Sequence, residues 1–231
     1  DYADVFIHEG FAMYSEFLYV ERKFGQDTAQ MYANMWQRTI SNIRPVVGPR
    51  DVNFWDYHDI DPYVKGAWCL KGLRYLLDND TLFFDIVKSY YQSRKYTVVT
   101  VKDFTDFVNE KTGKDYLWYF NHYLYRAEAP TLELAVIPTK KLHKYKYPIK
   151  NMSSDTGGQF GNEVLYLYCR WTNVEDNFVM PVVVSNPSQP KETKILPITT
   201  EGGIFVLDNK VWSLNQDFYF DMKQLKKVKT K

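Results

Sequence analysis

The apolar residues of this chain change period at Pro130. Before that point they recur every three or four positions, the spacing of one face of a helix, and after it they alternate, the spacing of a half-buried strand. The two patterns are not interchangeable, because a helical stripe laid out as a strand scatters its apolar side chains over both faces of a sheet. The charge shifts at the same place: residues 1–129 carry 15 basic and 18 acidic side chains, and residues 130–231 carry 14 and 10. The sequence therefore predicts two domains, an all-α helical domain over 1–129 and a small antiparallel β-sandwich over 130–231.

Six helices are expected in the first block. The first carries Phe6, Phe11, Met13, Phe17, Leu18 and Val20 and stops at Phe24-Gly25, where glycine can take a left-handed cap. A second should run from Asp27 to Arg44 with Met31, Met35, Trp36, Ile40 and Ile43 on its buried side. An irregular stretch follows to about Asp61, and Pro62 suits the first turn of a third helix ending near Leu77. The fourth is expected from Thr81 to Tyr96 behind an Asp80 cap. The fifth starts from a Thr100/Asp103 capping box and stops at Gly113, and the sixth covers Asp115 to Arg126. Beyond Pro130, alternating runs at 132–136, 164–169, 179–184 and 204–207 read as strands, punctuated by Gly157-Gly158, Asn186-Pro187, Pro190 and Gly202-Gly203.

Composition removes several function classes. A net charge of +1 leaves few uncompensated cations for a phosphate backbone, so no nucleic-acid partner is expected. No apolar run approaches the roughly 20 residues that a membrane span needs. Cys69 and Cys169 have no CxxC or Cys/His spacing around them and read as buried free thiols. His58, His122 and His143 show no metal-ligand spacing, and the closing lysines, Lys226, Lys227, Lys229 and Lys231, read as a solvated end. The opening Asp1-Tyr2-Ala3-Asp4 lacks an initiator methionine and reads as a start inside a longer protein, so a signal peptide is not observable and the compartment stays open.

The segment His8-Glu9-Gly10-Phe11-Ala12 is the one most suggestive of chemistry. Adjacent residues on a helix point in different directions, so His8 and Glu9 cannot share one metal by i, i+4 geometry. A carboxylate among Phe, Ala and Gly is costly to bury unless a cation or hydrogen bonds compensate it, so Glu9 is expected to be paired, metal-bound or held at the helix start by backbone amides. This segment resembles the N-E-G-F-A stretch of M1-family zinc aminopeptidases (gluzincins), whose Glu follows an H-E-x-x-H helix. Tyr63-Val64-Lys65-Gly66-Ala67 with Leu70 and Leu73-Arg74 is similar to that family's Y-x-K-G-A…L…L-R helix. Asp103-Phe104, Gly113-Lys114-Asp115, Phe120, Tyr123-Leu124 and Pro130-Thr131-Leu132 follow the family's stretch leading into a β-domain.

The resemblance implies that 1–129 is the C-terminal half of a thermolysin-like catalytic domain, followed by a β-domain. It implies that Glu9 is the third zinc ligand and that the Tyr63 hydroxyl stabilises the transition-state oxyanion. Glu16, two helical turns beyond Glu9, would support the ligand from behind, and Lys65 would be structural. A surface role suits Glu16 equally well. The implied cofactor is Zn²⁺, the implied substrate a peptide attacked at its N-terminal bond, and the implied partner the upstream half of the same polypeptide. The chain departs from the family in three respects: it contains no H-E-x-x-H, His8 stands where Asn is commoner, and the interval from Glu9 to Tyr63 is short. With one zinc ligand of three, the chain alone should be inactive. The alternatives are a non-catalytic scaffold or interaction module of the same fold, and an unrelated helical domain joined to an immunoglobulin-like module.

Overall fold

The computed structural model describes residues 1–52, 59–151, 165–207 and 212–228. The chain divides into two compact units, Asp1–Ala129 with Asp217–Tyr219, and Pro130–Gln216 with Phe220–Lys231.

Six α-helices build the first unit among the described residues: α1 (Phe6–Phe24), α2 (Gln26–Gln37), α3 (Asp61–Leu77), α4 (Asp80–Arg94), α5 (Val101–Thr112) and α6 (Leu117–Tyr125). Their ends follow local chemistry. Thr100 and Asp103 make both bonds of a capping box, and α5 terminates at Gly113 with φ +63°. Asn79, not Asp80, caps α4, its side chain accepting from the Leu82 amide at 2.9 Å. Gly25, at φ +89°, turns α1 directly into α2.

The second helix differs from expectation. It ends at Gln37 rather than Arg44, and Met31, Met35 and Ile43 are exposed while Ala29 and Ala33 are buried. Periodicity alone could not choose between the two faces, because small side chains let a helix pack closely and the larger ones then fall outside. The core of this unit is aromatic. Phe104 is the hub, with ring centroids of Phe11, Tyr90, Phe120 and Phe6 at 5.1, 5.2, 6.1 and 6.2 Å, mostly edge-on as ring quadrupoles favour.

Three residues distant in sequence complete the unit. The Tyr219 carbonyl accepts from the Tyr123 hydroxyl at 2.7 Å, the Asp217 carbonyl accepts from Lys71 Nζ at 3.0 Å, and Phe218 stacks on Tyr75 at 5.5 Å.

The second unit holds two sheets. One has five strands in the order β2 (Ile149–Asn151), β6 (Gly203–Leu207), β3 (Leu165–Thr172), β1 (Thr131–Ile137), β8 (Asp221–Gln224). The other has the order β5 (Gln189–Leu196), β4 (Val182–Asn186), β7 (Ser213–Leu214). β1 runs antiparallel to β3 from Thr131 opposite Thr172 to Ile137 opposite Tyr166, whereas β1–β8 and β2–β6 are parallel. The first sheet is thus mixed. Pairing on β1 is reinforced by Glu133, buried to 5% exposure, which accepts from Arg170 at 2.7 Å and Lys223 at 2.9 Å. Strands β5 and β8 escape the alternation rule because they are polar, each at an edge of its sheet where one side needs no apolar pattern.

Candidate active site

The Tyr63 hydroxyl lies close to the Glu9 carboxylate, although 54 positions separate the two residues in sequence. Both side chains are half-buried. Glu9 stands in the first turn of α1 and Tyr63 in the first turn of α3, so the contact requires the two helices to cross near their starts. Two glycines permit it. A Cβ at Gly66 would lie 3.1 Å from the Cα of Gly10 and 3.0 Å from Cδ2 of Phe6. A Cβ at Gly10 would lie 2.6 Å from that same ring carbon and 3.3 Å from the Pro62 carbonyl oxygen. Glu9 and Tyr63 are therefore neighbours because Gly10 and Gly66 let one backbone rest against the other.

The start of α3 is fixed on both sides. Asp61 is fully buried and accepts from the backbone amides of Ser41 at 2.7 Å and Asn42 at 2.8 Å. Burial pushes the Asp61 carboxyl above its ordinary range. Lys65, also fully buried, donates to the carbonyls of Arg126 at 3.1 Å and Ala127, beyond the end of α6, where a cation complements the helix dipole. Asp4, just before α1, accepts from Arg50 at 2.7 Å and from the Val101 amide at 2.9 Å. Tyr63 is thus carried on a helix whose first turn is tied to residues 41–42 and whose second is tied to the end of α6.

Burial pushes the Tyr63 hydroxyl above its ordinary value of 10.0, and the adjacent Glu9 carboxylate and the nearby Tyr2 act in the same direction. Tyr63 is consequently a neutral donor at physiological pH. Among the described residues Glu9 has no salt-bridge partner, so its half-buried carboxylate keeps acceptor capacity for a cation.

Glu16 lies elsewhere. Seven residues along α1 is about 10 Å of rise, and there the exposed Glu16 carboxylate accepts the Tyr32 hydroxyl of α2 at 2.8 Å. His8 is exposed, His122 is buried edge-on to Tyr123 at 5.6 Å, His143 is exposed, and His58 lies outside the described residues. Both cysteines are buried free thiols. No group of three or more His, Cys, Asp or Glu side chains that could hold a metal occurs among the described residues. No helix among them is long and apolar enough to cross a membrane. The glycine crossing escaped sequence reasoning. Its only signal was the pair of glycines, one directly after Glu9 and the other three residues after Tyr63.

A family model described as the peptidase family M1 domain matches residues 1–123. The chain belongs to peptidase family M1. Among solved structures, this M1 chain is similar to aminopeptidase A of Legionella pneumophila in complex with aspartic acid, with a TM-score of 0.67 and 16% identity. That match covers 96% of this chain and 24% of the other, so the M1 chain spans about a quarter of the solved protein's length. At such identity the likeness establishes a shared fold across both units. No curated protein matches the sequence.

Proposed function

We propose that this M1 chain is the C-terminal part of a zinc aminopeptidase, with residues 1–129 the helical part of the catalytic domain and residues 130–231 an appended β-domain. The observation that carries this reading is the Glu9–Tyr63 contact at the glycine crossing, in a chain of peptidase family M1. Glu9 is an anionic oxygen donor without a salt-bridge partner among the described residues, which suits one ligand position of a divalent zinc. The other two would be the histidines of an H-E-x-x-H segment that this sequence lacks. When bound, zinc supplies Lewis acidity, lowering the pKa of a coordinated water to about 7 and polarising a peptide carbonyl.

The chain's own residues would contribute position and a proton donor. Glu9 would hold its carboxylate at a fixed point on α1. Tyr63, kept neutral by burial and by Glu9, would present its O–H to the oxyanion that develops on the scissile carbonyl. Glu16, by binding Tyr32, would hold α1 against α2 and so steady the helix that bears the ligand. By itself the chain would have one zinc ligand of three and no activity.

The test uses a longer polypeptide that includes an upstream H-E-x-x-H. Glu9→Gln should sharply lower its zinc content, whereas Tyr63→Phe should retain zinc and lose about 10²- to 10³-fold in turnover of an N-terminal peptide bond. Normal zinc occupancy in the Glu9 variant would remove the ligand assignment.

A further inference from the structure

Helices α1 and α4 flank a groove of about 320 Å³, within the size range of small-molecule sites. Its walls are Ile7 and Phe11 on α1, Val87 and Tyr91 on α4, and Val99 in the segment after α4. Ile7 and Phe11 are each two residues from Glu9, about 200° around the helix, so the groove faces a different side of α1 from the Tyr63 contact.

Two features mark the groove as more than an apolar surface. Tyr90 lines it at 5% exposure, and its buried hydroxyl has no hydrogen-bond partner among the described residues. The exposed Arg94 and Lys95 also line it, and neither forms a salt bridge among the described residues. Arg94 is one turn beyond Tyr90 on the same helix. The acidic groups nearest in charge to the Tyr90 hydroxyl are already engaged: Asp103 caps α5 through Thr100 and Asp4 pairs with Arg50.

We propose that this groove binds a small apolar acid, with its hydrocarbon or ring body against Ile7, Phe11, Val87 and Val99 and its carboxylate facing Arg94 and Lys95. The aromatic and aliphatic walls supply affinity without direction, and the two exposed cations favour a carboxylate over an amine. Burial pushes the Tyr90 hydroxyl up to about 12, so it stays protonated at neutral pH. The assignment does not depend on Glu9 or Tyr63 having a catalytic role.

Calorimetric titration of the chain with 4-phenylbutyrate, 4-phenylbutanol and 4-phenylbutylamine provides the test. The acid should bind about tenfold tighter than the amine, with the alcohol between them. Val87→Trp should fill the groove and abolish binding of all three. The surface pair Arg94→Gln/Lys95→Gln, which leaves the walls intact, should bring the acid down to the affinity of the alcohol. Three results would each overturn the proposal: no saturable binding of the acid, an amine that binds as tightly as the acid, or an undiminished acid preference in the double Gln variant. If Val87→Trp does not fold, the double Gln variant decides alone.

Discussion

Replacing Gly66 by alanine tests whether the helix crossing is as tight as its geometry requires. The new methyl would sit 3.1 Å from the Cα of Gly10 and 3.0 Å from Phe6 Cδ2, against the 3.4–4 Å of ordinary contact. Neither neighbour yields easily. Gly10 contributes backbone, and Phe6 is fully buried against Phe11 and Phe104. Overpacking of this kind costs about 1–3 kcal/mol, and the better helix propensity of alanine returns up to about 1 kcal/mol. A net loss of about 1–2 kcal/mol is expected for Gly66→Ala. Gly10→Ala, whose methyl would meet Phe6 at 2.6 Å, should lose about 2–3 kcal/mol. Guanidinium unfolding followed by the helical far-ultraviolet signal measures both, and the midpoint should fall in each variant, further for Gly10. A Gly66→Ala protein as stable as the original, or more stable, would mean that the crossing has slack and that the two glycines do not set the Glu9–Tyr63 contact.

Other expectations follow from the buried polar groups. Burial pushes the Cys69 and Cys169 thiols up to about 12, so the folded chain should resist iodoacetamide at pH 8 while the unfolded chain takes up label at both cysteines. Stoichiometric labelling of the native protein would contradict that burial. Thr100→Ala removes the capping box and should cost about 1 kcal/mol in an equilibrium melt. Burial raises the Glu133 carboxyl, but Lys223 and Arg170 more than reverse this, so it titrates below its ordinary 4.5. Its contribution is therefore complete above that value and is lost as pH falls through the lower folded one. Because Arg170 and Lys223 are themselves 37% and 62% exposed, Glu133→Gln should cost only about 1–2 kcal/mol at neutral pH. The two proteins should converge in stability as pH falls through the lowered Glu133 value, and a difference that stays constant as the protein is acidified would refute the pairing.

Local chemistry was legible in the sequence wherever a pattern involved neighbours along the chain. The limits of α1, the Thr100 capping box, the stop at Gly113 and the strands around 132–136 and 204–207 each depend on residues within a turn or two, and they occur as read. The order of a helical block and a β block was legible for the same reason, since periodicity is a local property. The faces were not. Met31 and Met35 have the spacing of a buried stripe, yet only the close approach permitted by Ala29 and Ala33 determines which side of α2 turns inward. Strands β5 and β8 carried no alternation because partners on other strands, not their own side chains, hold them in place.

The same division applies to the candidate active site. From sequence alone, Glu9 is a carboxylate in an apolar helix start and Tyr63 an aromatic hydroxyl on another helix, with 54 positions between them. Their types, their helices and the family they resemble follow from the residues themselves. Their contact follows only from tertiary packing. Two glycines without side chains let α1 and α3 touch at one level, while the buried Asp61 and Lys65 tie the start of α3 to residues 41–42 and to the end of α6. The approach of two distant side chains depends on ångström-scale backbone separation, which no one-dimensional pattern encodes.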